Sequence, residues 1–138
     1  MRYYLDTNML VFILLKEKDE INHKVAHIIN DYSSILYASS VAVQELLLLF
    51  RIGKFRYSKY KSDKDILADI ELLHIEIVFF NQLHLNTYTA LQITEDHKDM
   101  NDHAIISQAI SDKISVISSD AKFKDYTNQG LKFIYNKR

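Results

Sequence analysis

The chain has 138 residues, 17 basic and 18 acidic, for a formal charge of −1, so no global charge excess points to nucleic acid or a membrane surface. Cysteine is absent, which excludes disulfides, a thiolate nucleophile and Cys-based zinc or iron–sulfur sites. Proline is absent and the only glycines are Gly53 and Gly130, which excludes Gly-rich phosphate loops and lets helices run unbroken.

An apolar fraction of 48% with 25% charged residues is globular rather than disordered, and the length suits one domain, 1–138, around a single core. The start has no signal-peptide pattern, and the apolar run LLLLF at 46–50 is far too short to span a bilayer. A cytoplasmic protein without membrane association is the expectation.

Tyr3 to Leu5 predicts a short buried strand. After Asp6, the segment MLVFILLKEK predicts a helix capped by Thr7 or Asn8. Val25, Ile28 and Ile29 stand at helical spacing, and SSILYASS at 33–40 predicts a second strand. The helix over VAVQELLLLFRIGK carries an apolar stripe at Val43, Leu46, Leu47 and Phe50, with Gly53 at its end. Its apolar surface is nearly continuous, more than one buried face needs, so part of it, with Val11 and Leu14, suits cover by a second chain.

A helix over 66–73 and a strand within 74–80 follow, then a helix over 82–94 through Leu83, Leu85, Tyr88, Leu91 and Gln92. HAIISQAI at 103–110 is helical with Ile105, Ile106, Ala109 and Ile110 inward. KISVISSD at 113–120 alternates and ends at an acid, and KFIY at 132–135 predicts the last strand. Helices that intervene between short β-branched strands predict an α/β fold, a three-layer α/β/α sandwich with a central, mainly parallel sheet.

In such a fold ligands lie outside the carboxyl ends of the strands. Asp6 and Asp120 each follow a strand directly, Glu45 lies in the first turns of the helix after the second strand, and Asp102 opens a later helix. Asp99, in the preceding loop, reaches the same crevice. Converging carboxylates repel unless a cation or proton separates them, and oxygen donors without a thiolate or imidazole cluster suit Mg²⁺ or Mn²⁺. Hydrolysis of a phosphodiester is the chemistry this set serves best. Taken singly, Asp102 reads as a helix-start cap, Asp6 and Asp120 as strand-end residues that begin a turn or cap, and Glu45 as a residue on an exposed helix face.

Four segments in this order resemble the PIN-domain nucleases, closest to the small VapC-type toxins of bacterial toxin–antitoxin pairs. They are LDTNMLV at 5–11, SSVAVQELL at 39–47, DMNDHAIISQA at 99–109 and ISVISSDAKF at 114–123. The resemblance implies a metal-dependent endoribonuclease that leaves 5′-phosphate and 3′-hydroxyl ends. Asp6, Glu45, Asp102 and Asp120 would hold one or two Mg²⁺ or Mn²⁺ ions. It also implies a protein antitoxin and a homodimer. Thr7 would support the site by hydrogen bonding an acid, and Asn8 by orienting the metal environment or the turn. Asp99 would act behind the ligands, and Ser118 and Ser119 stand where relatives often carry Thr and Asn or Ser. Many of these toxins place an arginine directly after the third acid, where this chain has His103.

Arg51, Lys54, Arg56, Lys59 and Lys61 interleave with Tyr57 and Tyr60, a pattern that suits either a single-stranded RNA track or an antitoxin surface. Solvated cations over inward-packed rings are the structural alternative. His23 and His27 stand four apart without a third ligand, and His97 and His103 flank the third motif, near enough in sequence to meet a substrate phosphate. A housekeeping RNA-maturation nuclease of the same fold, a non-enzymatic metal- or protein-binding module and a phosphoacceptor domain are the competing readings.

Overall fold

The computed structural model describes residues 1–138. Five strands, β1 (Arg2–Leu5), β2 (Ile35–Ser39), β3 (Ile75–Val78), β4 (Ser115–Ser118) and β5 (Phe133–Tyr135), form one sheet in the order β3-β2-β1-β4-β5. Every pairing is parallel. Parallel neighbours need crossovers, and six helices supply most of them: α1 (Thr7–Leu14), α2 (His23–Asn30), α3 (Ser40–Arg51), α4 (Asp63–Leu72), α5 (Gln82–Ala90) and α6 (Met100–Asp112). A 3₁₀ stretch at Ala121–Gln129 joins β4 to β5. The expected α/β sandwich around a central parallel sheet is what forms, and no helix is long and apolar enough to cross a membrane.

The chain lays down β1, β2 and β3 outward in one direction. It then returns through α5 and α6 to add β4 and β5 on the other side of β1. Strand order therefore reverses between β1 and β4, and a crevice opens at their carboxyl ends. Tyr3, Tyr4 and Leu5 of the central strand are all buried, as a strand covered on both faces requires. Every residue from His103 to Ala109 in α6 is buried as well, so this helix is enclosed on all sides. Met9, Leu10, Ile105, Ile106, Ile117 and Phe123 complete the centre of the core.

Several local expectations are corrected. Asp6, rather than Thr7 or Asn8, caps α1, accepting from the Thr7 N–H. The helix stops at Leu14 and leaves the charged KEK outside, where Lys16 adopts a left-handed φ of 57°. The helix expected over 82–94 ends at Ala90, and Leu83 and Leu85 face out. Its inward residue is His84, whose Nδ1 accepts from the Asn81 N–H and whose Nε2 meets Asp112 at 2.9 Å. A polar residue with partners on both ring nitrogens has displaced leucine from the buried side. Gly53, at φ 79°, follows the end of α3 as expected.

A buried polar network ties α6 to the sheet. Gln108 accepts from the Ser39 hydroxyl at 2.5 Å and donates to the Val78 carbonyl at 3.0 Å and to the Tyr4 hydroxyl at 3.2 Å. Tyr4 in turn donates to Asp112 at 2.5 Å. Replacing Gln108 by Leu strands these buried partners and should destabilise the fold by about 2–3 kcal/mol in urea denaturation, while Mn²⁺ affinity stays unchanged.

Candidate metal centre

Parallel register places Leu5 beside Ile117, and the Asp6 N–H donates to the Ile117 carbonyl at 3.0 Å. The next residues of both strands therefore leave the sheet side by side. Ser118 donates its hydroxyl proton to Asp6 Oδ2 at 2.6 Å, and Ser118 Oγ in turn accepts from the Asp120 N–H at 3.0 Å. Asn8 completes the junction, with its amide nitrogen 3.4 Å from Asp6 Oδ2 and its carbonyl accepting from the Ser119 N–H at 3.3 Å. Ser119 accepts at its hydroxyl from Asn136 at 2.7 Å.

Glu45 comes from α3, where Asn101 donates to its Oε2 at 3.2 Å. Asp99 caps α6, accepting from the Asn101 and Asp102 N–H groups, so Asp102 is not the cap but stands in the first turn. Asp120 caps the 3₁₀ stretch through Lys122 N–H. Asp6, Glu45, Asp99, Asp102 and Asp120 all line one cleft of about 400 Å³. The cap and the shared cleft are thus compatible assignments for the same side chains.

Thr7 supports Asp6 through its backbone N–H at 2.8 Å, not through its hydroxyl. That hydroxyl is buried at the cleft without a hydrogen-bond partner. His97, expected to meet substrate, is instead buried and pairs its Nε2 with Asp102 Oδ2 at 2.8 Å. Its Nδ1 lies 3.0 Å from the Tyr126 hydroxyl, which already accepts from the Thr94 N–H at 3.3 Å. Tyr126 is therefore placed to donate to Nδ1, which leaves Nε2–H to donate to Asp102. His103 is buried too, its Nε2 on the His97 carbonyl at 2.9 Å, so it offers no cation at the cleft. His23 and His27 are exposed and carry no metal group.

Ligand atoms of His97, Asp102 and Asp120 lie within 4.8 Å of one another, close enough to hold an ion. Since the His97 Nε2 proton is spent on Asp102, His97 acts as a partner that orients the carboxylate and leaves Oδ1 free. Burial, with repulsion from Asp102 and Glu45, pushes Asp6 up to about 7. Burial and repulsion from Asp99, Asp120 and Glu45 push Asp102 up to about 8. The donor set is short of positive charge, and with an unpartnered Thr7 hydroxyl beside it a hard divalent cation suits it.

No residue of the basic stretch lines this cleft, although Arg51 lines the adjoining groove with Glu45. Tyr60 is buried, donates to Asp69 at 2.7 Å and packs edge-on to Tyr57, so it has no free face for a base. Lys59 pairs with Asp69, Arg51 with Asp63, and Arg56 donates to the Gly53 carbonyl. Lys54 and Lys61 are exposed. The signal for His97 was only a histidine five residues before Asp102, in a loop whose path the sequence does not reveal.

A parallel sheet whose reversal point gathers five carboxylates defines an α/β protein with a candidate metal centre. The chain belongs to the PIN domain family, whose sequence model matches residues 3–129. No curated protein sequence matches it. Among solved structures it is similar to a chain of VapBC2 from Rickettsia felis bound to a DNA fragment from their promoter, at 24% identity and TM-score 0.65 over 98% of both chains. VapBC-1 from nontypeable Haemophilus influenzae shares 19% identity at TM-score 0.65 over 100% of both chains. FitAcB from Neisseria gonorrhoeae shares 16% at TM-score 0.61 over 97% of both. These likenesses show a shared fold.

Two measurements follow from this geometry. In the unfolded chain Asp6 and Asp102 ionise near pH 4, so folding retains protons on them between that value and about 7 to 8. Stability of the metal-free protein is therefore fully present at low pH and falls as pH rises through this window. Its Tm should drop by roughly 5–10 °C between about pH 6 and pH 8.5, less in Asp6→Asn, with Mn²⁺ restoring most of the loss. His97→Gln should weaken Mn²⁺ binding by about 10–100-fold in calorimetry.

Proposed function

We propose that residues 1–138 act as one metal-dependent endoribonuclease domain, hydrolysing RNA to 5′-phosphate and 3′-hydroxyl ends as the toxin of a toxin–antitoxin pair. The observation that carries this reading is the convergence of Asp6, Glu45, Asp102 and Asp120 on one cleft at the switch point of the sheet. These four would hold one or two Mg²⁺ or Mn²⁺ ions. Such an ion, when bound, polarises phosphoryl oxygens and lowers the pKa of water, so the site needs no separate general base.

The protein's own groups prepare that cleft. Ser118 and the Thr7 N–H hold Asp6, His97 holds one oxygen of Asp102, and Asn101 holds Glu45. With these partners the carboxylates are ordered before substrate arrives, and little reorganisation remains for the reaction itself. The toxin reading is supported by the four-motif resemblance to VapC-type toxins and by the fold shared with VapBC and FitAcB chains. A groove of about 590 Å³ between α3, α5 and α6 exposes Leu48, Leu85 and Met100, and it supports a protein-binding face for an antitoxin or a second copy.

The test is incubation of total RNA with the purified protein and Mn²⁺ or Mg²⁺, with product ends mapped. Discrete cuts bearing 5′-phosphates are expected, abolished by EDTA and slowed about 10²–10³-fold in Asp6→Asn. Cuts that persist in EDTA would remove the metal from the reaction. Metal binding without any cleavage across diverse RNA pools would favour a non-enzymatic module.

A further inference from the structure

Every carboxylate of the cleft faces a substrate that is itself an anion. Among the residues that line it there is a single cation, Arg138, against Asp6, Glu45, Asp99, Asp102 and Asp120. Lys122, which also acts on Asp102, lies outside that lining and donates to the Asp96 carbonyl at 3.1 Å. We infer that Arg138 is the phosphate-binding residue of this cleft, seating the RNA backbone beside the acids; the inference rests on the ribonuclease reading above.

Arg138 reaches the cleft on an ordered path. Asn136, fully buried, donates to the Glu20 carbonyl at 2.8 Å and to the Ser119 hydroxyl at 2.7 Å, and it accepts from the Asn22 N–H at 2.8 Å. These bonds pin the segment after β5 against the end of β4. The guanidinium then lies over the Phe12 ring, 5.1 Å from its centroid, with Nε donating to Glu20 at 2.5 Å. Its terminal amino groups carry no protein partner, and the side chain remains 56% exposed.

That arrangement suits capture of a phosphate. A guanidinium held by stacking and one ion pair has lost most of its freedom already, and its remaining N–H donors form the planar fork that matches non-bridging phosphate oxygens. Its ion-pair partner is Glu20, outside the cleft lining, so the arginine does not plug the acids. A cation of fixed position also offsets the repulsion a phosphodiester meets on approaching several carboxylates.

The experiment compares wild type, Arg138→Ala and Arg138→Lys, all loaded with Ca²⁺, an oxygen-seeking ion used here to hold the site during binding. Affinity for a labelled mixed-sequence single-stranded RNA of roughly twelve nucleotides is measured by anisotropy between about 50 and 200 mM salt. Mn²⁺ affinity and Tm are recorded in parallel. Arg138→Ala should weaken RNA binding about tenfold and reduce the salt slope by about 0.7, with Arg138→Lys intermediate, Mn²⁺ affinity no weaker than wild type and Tm unchanged. RNA binding equal to wild type would reduce Arg138 to a clamp on Glu20 and overturn the inference. Tighter binding would make it a plug and overturn it as well. Wild type that takes up Mn²⁺ but binds no RNA would instead sink the ribonuclease reading, and this inference with it.

Discussion

The pairing of β1 with β4 sets the geometry on which the rest of the cleft depends. Leu5 lies beside Ile117, so the two strands run out together and Asp6 meets Ser118 immediately beyond. One hydroxyl then serves both ends, donating to the Asp6 carboxylate and accepting from the Asp120 backbone. A carboxylate buried this deeply needs compensation, and three hydroxyl or amide donors supply only part of it. The helices that bring Glu45 and Asp102 add more negative charge, so the fold concentrates an electrostatic deficit at one point instead of dispersing it.

Helix starts moderate that deficit. Asp6 caps α1 and Asp99 caps α6, while Asp102 sits in the first turn of α6. The positive ends of these helices favour anions. Asp6, Asp99 and Asp102 therefore each have a local structural reason to stand where they do, and a reader of single motifs meets only that local reason. The shared cleft appears once the crossovers bring separate helix starts to one edge of the sheet.

This is also why the architecture and the four acids were legible in the sequence while their surroundings were not. Short β-branched strands that alternate with helical runs dictate a parallel sheet, and acids at strand ends must then emerge together. Partners set by loop paths carry no such period. His97 shows no sequence signal beyond its proximity to Asp102, and Arg138 lies far from every motif. Leu83 and Leu85 misled for a related reason, since a histidine with two partners satisfies a buried position that hydropathy assigns to leucine. The rings among the basic residues read either as stacking platforms or as inward packing, and Tyr60 takes the second course through its bond to Asp69.

The bond between Asp6 and Ser118 has a bearing on how the protein is made. It joins residues separated by 112 positions, and Asn8 reaches Ser119 across a similar span. Closing so long a loop has an entropic cost that the docked sheet repays, so these contacts require β1 and β4 to be paired. A nascent chain emerges from its N-terminus first, at about 5–20 residues per second. Through most of synthesis Asp6 therefore has neither the hydroxyl that holds it nor Asp120 beside it. The acid cleft comes into being only after β4 has left the ribosome, and no fragment that lacks β4 carries a complete one.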